Sequence, residues 1–297
     1  MRWKSPFLAC LWACFWACLW LGAGPAGAQQ DFSQVEIKTT PVSDGVYMLE
    51  GAGGNIGVSV GEDGVFVIDD QFAPLSDKIM AAIRALTDKP VEFLLNTHHH
   101  GDHTGGNEPF GRAGAHIVAH DNARMRLGSA EGGGAPNALP VITFSHSATF
   151  HWNGHEIHIW HPETAHTDGD AIVIFRDLNV LHMGDVLFSG AFPYIDVDGG
   201  GSLNGYIAAL EAVNSQIDAQ TKIIPGHGPL ATKAELEASL SMLQDVRARI
   251  QALIDDGLDE EGVAAADPLA DLNEKWGQGF INGERMARAA VRSLTAE

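Results

Sequence analysis

Seven side chains able to bind a divalent metal recur in this chain at one kind of place, where an apolar run meets a polar loop. Four of them, His98, His100, Asp102 and His103, fall in THHHGDH at 97–103, directly after the apolar VEFLL at 91–95. A strand holds its last residue firmly and Gly101 lets the following loop curl, so side chains at i, i+2, i+4 and i+5 can converge. Imidazole suits zinc, and a carboxylate beside it adds a hard oxygen donor. A solvated His-rich turn or an affinity tag has a similar composition. A tag, however, is a longer terminal run, whereas this cluster is internal and interrupted by glycine and aspartate. His166 lies in TAHTDGD at 164–170, just before AIVIF at 171–175; Asp185 closes VLHMGD at 180–185; His227 sits in IIPGHGP at 223–229. Each alone reads as a cap or a satisfied turn residue. Together they repeat one design, a rigid strand handing a ligand to a loop at one edge of a sheet.

The elements that would position them alternate between strand and helix. Apolar runs and period-two alternation predict strands at 45–49, 56–60, 65–68, 93–95, 116–119, 156–160, 171–175 and 180–182. Helical stripes are predicted over 75–86 (Ile79, Ile83, Leu86), over 203–217 (Leu203, Ile207, Leu210, Val213, Ile217) and over 232–254 (Leu236, Leu240, Leu243, Ile250, Leu253). These stripes are expected to face a core. Glycine-rich runs at 129–136 (SAEGGGAP) and 196–201 (DVDGGG) read equally as plain connections or as borders of a site. Phe192, Pro193 and Tyr194 would serve as an apolar wall or as core. The remaining histidines, at 116, 120, 146, 151, 155, 158, 161 and 182, lack ligand spacing and are expected on strand faces or at the surface. The tail, 257–297, is expected to pack on the rest as a helical part of the same domain.

The N-terminus has the form of a secretory leader: Arg2 and Lys4, an apolar stretch from Phe7 to Leu21, then AGA at 26–28. Cleavage is expected after Ala28, leaving 29–297 as one domain. The apolar stretch is too short, and too closely followed by small residues, for a retained span. Cys10, Cys14 and Cys18 all lie in this leader, so neither a disulfide nor a cysteine ligand is expected afterwards. A lipoprotein anchor at one of them is the competing reading, and Trp12 and Trp16 fit it poorly. The chain carries 18 Lys and Arg against 38 Asp and Glu, net −20. Removing Arg2 and Lys4 deepens that charge. Gripping nucleic acid needs a basic footprint, which such a chain lacks, and no basic amphipathic stretch suggests a membrane surface. A small-molecule substrate is expected; the oligomeric state is left open.

The order and spacing of the motifs resemble the metallo-β-lactamase superfamily over residues 45–228. The resemblance implies an α/β fold, a four-layer αββα sandwich of two mixed β-sheets flanked by helices. By that likeness His98, His100 and His166 would hold one zinc, and Asp102, His103 and His227 a second, with Asp185 bridging them. Asp69, which ends VFVID at 65–69, would orient the metal loop from behind, and His99 would not be a ligand. The departures narrow the subgroup. Where one large group of β-lactamases carries a metal-binding Cys and another a Ser, this chain has Asp185, as in the glyoxalase II-like branches. Three residues on, where the Cys-type enzymes place a Lys that grips the substrate carboxylate, it has Phe188. His100 stands where the flavodiiron branch carries an acidic residue, which favours zinc over a di-iron pair.

The chemistry implied is metal-assisted hydrolysis. Zinc lowers the pKa of bound water to roughly 7, giving a hydroxide that attacks a carbonyl, with Asp102 both ligating and orienting it. No Ser or Cys nucleophile with a matched base is evident. The expected protein is an exported, periplasmic dinuclear zinc hydrolase of an ester, thioester, lactone or lactam, with β-lactamase activity open. Two other classes stay in view: a mononuclear iron enzyme like the superfamily's persulfide dioxygenases, and a non-catalytic metal-binding protein on the same fold.

Overall fold

The computed structural model describes residues 31–129 and 134–296. The leader expected at 1–28, with its cysteines, and residues 130–133 of the first glycine-rich run lie outside the described residues. Seven strands form one sheet in the order of the chain: β1 (Lys38–Ser43), β2 (Val46–Glu50), β3 (Ile56–Gly61), β4 (Gly64–Ile68), β5 (Val91–Leu95), β6 (His116–His120) and β7 (Ile142–Phe144). Five form a second: β8 (Ser147–Trp152), β9 (His155–Trp160), β10 (Ile172–Phe175), β11 (Val180–His182) and β12 (Lys222–Ile224). Both sheets are mixed. The first turns from antiparallel to parallel at β4–β5, and the second at β11–β12. The helices are α1 (Ser76–Arg84), α2 (Gly101–Thr104), α3 (Asn107–Arg112), α4 (Asp121–Ser129), α5 (Leu203–Asn214), α6 (Lys233–Asp255), α7 (Glu260–Ala266), α8 (Ala270–Trp276) and α9 (Gly283–Ala296).

Side-chain alternation explains the layering. In β4 every residue is buried. Phe66 and Ile68 face the second sheet and meet Ile157, Ile159, Val173 and Phe175 there, while Val65 and Val67 face the other way, onto Ile79 and Ile83 of α1. A strand covered on both faces reads as a continuous apolar run, as GVFVI does. On the far face of the second sheet, Ile172, Leu181 and Ile223 pack against Leu210, Leu243 and Val291 of α5, α6 and α9. The four-layer αββα sandwich implied by the resemblance is therefore the fold. The tail helices lie on the same outer core, through Val263, Trp276 and Met286.

Local signals fix the helix ends. Thr232 caps α6, accepting the Ala234 N–H, and its own N–H donates to Glu235 in a capping box. The expected stripes at 75–86 and 203–217 end earlier than foreseen, at Arg84 and Asn214. Four strands lie outside the predicted set: β1, which carries Pro41 and a register shift at the sheet edge, β7 with two of its three residues exposed, β8, and the short β12, foreshadowed only by the apolar pair before His227.

The topology makes one edge of the sandwich special. Strands β4, β5 and β6 run parallel, so their C-terminal ends share an edge, as do those of β11 and β12. Strand β10 is antiparallel to β11, so its N-terminal end lies at that edge too. The sheets are tied there by the Ala171 N–H to the Thr97 carbonyl (2.7 Å) and the Asn55 N–H to the Gly226 carbonyl (2.7 Å). Among the described residues no helix is long and apolar enough to cross a membrane.

Candidate metal centre

All seven candidate ligands gather at this shared edge. His98, His100, His166 and Asp185 offer atoms within 4.8 Å of one another, and Asp102, His103 and His227 form a second such group. Asp185 faces both. Its Oδ2 lies 3.8 Å from His98 Nε2 and 3.5 Å from His166 Nε2, while its Oδ1 lies 3.1 Å from His103 Nε2 and 3.5 Å from His227 Nε2. Asp102 Oδ2 closes the second group, 3.3 Å from His227 Nε2 and 3.7 Å from His103 Nε2.

The surrounding hydrogen bonds decide which nitrogen each ring presents. Asp69 accepts the Thr97 N–H on Oδ1 (2.7 Å) and the Thr97 hydroxyl on Oδ2 (2.7 Å). With that hydroxyl hydrogen committed, Thr97 Oγ1 can only accept from His98 Nδ1–H, at 3.0 Å. His103 Nδ1–H donates to Asp69 Oδ2 (2.7 Å), and His166 Nδ1–H to the Tyr194 carbonyl (2.8 Å). His100 is reversed: its Nε2–H donates to Asp196 Oδ2 at 2.9 Å, so Nδ1 faces inward. A histidine whose outer N–H is held by a carbonyl or carboxylate presents a fixed lone pair inward, the arrangement typical of metal ligands.

The consequence tests whether a cation fits. His166 Nε2 and His100 Nδ1 stand 2.9 Å apart with both protons engaged elsewhere, so acceptor faces acceptor. His98 Nε2 is buried with no hydrogen-bond partner among the described residues. Buried polar atoms are normally paired, and a cation satisfies all three nitrogens at once. The donor set of the two groups, imidazoles with the Asp102 and Asp185 carboxylates and no sulfur, suits zinc.

Electrostatics divide the groups. Burial pushes the His98 pKa well below its ordinary value, helped by the neighbouring His103, and burial takes His166 down to about 4. In the second group burial works the same way but loses. Asp185 and Asp69 hold His103 well above its ordinary value, and Asp185 and Asp102 raise His227 to about 9. Burial would also raise Asp185, yet His103, His227, His166 and His98 hold its carboxyl far below the usual range. Without metal, His98 and His166 present bare lone pairs, while His103 and His227 are held toward their protonated forms beside carboxylates.

The backbone under the site is shaped to this end. Asp69 (φ +63°) and Gln71 (φ +57°) adopt left-handed conformations after β4, rare outside glycine though tolerated by aspartate. That turn presents the Asp69 carboxylate to Thr97 and His103, and lets the Asp70 N–H bond the His103 carbonyl at 2.9 Å. Gly54 passes so close beneath His103 that a Cβ would overlap the imidazole. Gly184 (φ +49°) lies against Thr97 with no room for a side chain. Tyr206, buried in α5, donates its hydroxyl to the Asp185 carbonyl at 2.6 Å.

Asp196 is the functional candidate that sequence reasoning missed as a residue, since it was visible only as the start of a glycine-rich run. Its Oδ1 accepts the Gly199 N–H (2.9 Å), the aspartate-to-glycine turn that DVDG spells out. His99 lies beside His100 and Asp196, outside both groups. Phe192 is core, whereas the Tyr194 ring stands against His100 and His166 at 5.8 and 5.7 Å. Phe188 stacks on His227 at 4.8 Å. His182 is a strand-face residue but fully buried, donating from Nε2 to the Asn55 carbonyl and accepting the Gly184 N–H on Nδ1.

Known proteins share this fold. Two solved structures share the fold: a metallo-beta-lactamase from Pontibacter korlensis (TM-score 0.62, 20% identity, 71% of this chain and 100% of that one) and the DIM-1 metallo-beta-lactamase (TM-score 0.61, 17% identity, 71% and 99%). In sequence, hydroxyacylglutathione hydrolases from Polaromonas sp. (strain JS666) and Rhodospirillum rubrum are 28% and 27% identical over 157 and 154 residues. Those alignments take in 52% of this chain and 55% and 54% of the relatives, so the chain spans about half the length of the curated relatives it matches. The family model for the metallo-beta-lactamase superfamily matches residues 49–229, from the middle of β2 to just past His227. With that match over more than half its length, the chain belongs to the metallo-beta-lactamase superfamily.

Proposed function

We propose that this protein is an exported dinuclear zinc hydrolase that cleaves a carbonyl compound: an ester, thioester, lactone or lactam. The carrying observation is Asp185, whose two oxygens face two separate nitrogen groups at one sheet edge. His98, His100 and His166 would hold one ion, Asp102, His103 and His227 the other, and Asp185 both. A zinc pair supplies an acidified water, with pKa near roughly 7, and a Lewis acid for the carbonyl oxygen. Asp102 acts on the water side. Burial would raise its carboxyl, but the hydrogen bond from His227 and the charge of His103 hold it below the ordinary value, so Oδ2 is an ionised acceptor at the mouth. It would orient the attacking water by accepting its hydrogen bond, as well as ligating. Asp69 and Asp196 fix the rings behind. Phe188 covers the His227 side with an apolar face in place of a cation, which disfavours substrates gripped through a carboxylate at that point. The likeness to hydroxyacylglutathione hydrolases supports testing thioesters first. Export rests on the leader at 1–28, with 29–297 as one metallo-hydrolase domain.

Elemental analysis of purified protein beside a panel of thioesters, esters, lactones and nitrocefin tests the reading. Two zincs per chain with turnover lost in His98→Ala and Asp102→Ala supports it. One iron per chain, or two zincs with no turnover anywhere on the panel, overturns it.

A further inference from the structure

We infer that Phe280, carried on the tail beyond the family-matched region, is a specificity-determining residue that selects substrates with a flat apolar group next to the scissile carbonyl. The inference rests on the hydrolase reading above and names its substrate class. Four large apolar side chains are exposed among the described residues, Met125, Val141, Ile142 and Phe280, and Phe280 is the aromatic one, 71% exposed. Its ring stands edge-on to Tyr194 at 6.1 Å and 88°, and Tyr194 in turn stands against His100 and His166. An aromatic row therefore runs from the first ligand group outward to Phe280, while Phe188 stacks on His227 at 4.8 Å and stands 6.3 Å from His166.

The exposed ring is held in place. The Phe192 N–H donates to the Trp276 carbonyl (2.7 Å), and a Cβ on Gly279 would press on the Ala191 methyl, so the 277–280 turn lies against the 191–194 segment that carries Tyr194. Beyond it, Arg285 donates to the Phe280 carbonyl (3.0 Å) and sets its guanidinium 5.5 Å from the ring. Leaving a large apolar ring in water forgoes the free energy of its burial. Here the backbone is fixed so that the ring stays at the mouth of the site, where an incoming planar group buries it. Binding sites of this kind are mostly apolar walls with a few convergent polar groups.

The test compares acetyl and phenylacetyl thioesters of one small thiol on zinc-loaded wild type, Phe280→Ala and Phe280→Trp, with metal content measured for each. Phe280→Ala is expected to lower the phenylacetyl-to-acetyl ratio of kcat/KM by roughly 3- to 10-fold, the range of aromatic pair interactions, carried by KM; Phe280→Trp restores it. An unaltered ratio, or equal losses of kcat on both substrates, overturns the inference while leaving the hydrolase reading intact. Should wild type hydrolyse neither thioester, the hydrolase reading stands or falls separately, on the wider panel of esters, lactones and nitrocefin. Calorimetry of phenylacetate against acetate on the zinc-loaded proteins then decides, with a preference for phenylacetate that survives Phe280→Ala counting against it.

Discussion

Replacing Asp196 by asparagine exchanges one oxygen for an amide nitrogen and leaves the outline of the site intact. The asparagine would keep its Oδ1 on the Gly199 N–H, 2.9 Å from the aspartate oxygen it replaces, so the turn at 196–199 is preserved. Its NH2 then takes the place of Oδ2 and meets His100 Nε2–H at 2.9 Å, donor against donor. The ring escapes by moving its proton to Nδ1, the nitrogen that faces His166 Nε2, and that proton excludes a metal. Loss of such an outer partner typically costs roughly 10- to 100-fold in metal affinity or activity, or about 1.4 to 2.8 kcal/mol. Competition against a chromophoric chelator at fixed pH measures it. The weakening should fall on one of two bound zincs, and Asp198→Asn, whose carboxylate pairs with the exposed Arg292, should weaken neither. Affinities for both ions unchanged from wild type in Asp196→Asn would refute the tautomer argument.

Metal uptake should be asymmetric in pH. His103 and His227 carry raised pKa values, the latter about 9, so loading the second group at neutral pH displaces protons, whereas His98 and His166 have none to release. Affinity at the second group then falls as pH drops below about 9, and calorimetry in buffers of different ionisation enthalpy should count the protons. Gly54→Ala forces its methyl into the His103 ring; it should cost about 1–3 kcal/mol in urea unfolding and reduce metal content toward one ion per chain. Tyr206→Phe leaves the buried Asp185 carbonyl without its donor and should cost about 1–3 kcal/mol with metal stoichiometry retained, as unfolding and elemental analysis can check.

The metal-capable residues were legible because each follows or precedes an apolar run, and rigid strands ending at one sheet edge bring such positions together whatever their separation in sequence. The outer partners were less so. Asp69 was reachable only through the family likeness, and Asp196 sits in a glycine-rich run with no apolar frame, where its turn is spelled out but its approach to His100, 96 positions away, is not. Strand β8 could have been read, since Ala148, Phe150 and Trp152 alternate with exposed Thr149 and His151. Its histidine and threonine hid that period. Strand β1, with Pro41 inside it, lacks the signature of an inner strand because it is an edge.

Cysteine is absent from residues 29–297, so that stretch has no covalent means of joining distant segments. The candidate ligand groups would take that part. His98 follows a strand of one sheet, whereas Asp185 and His227 follow strands of the other, so any ion they share closes chain loops on the order of 100 residues. In the chain-entropy account, a cross-link of that span removes about 5 kcal/mol of freedom from the unfolded chain. An ion would do so reversibly, without an oxidant, and could be withdrawn by a chelator. Along this edge the proposed catalytic apparatus and a fastening between the sheets would be one object, and starving the protein of metal would loosen its architecture as well as silence its chemistry.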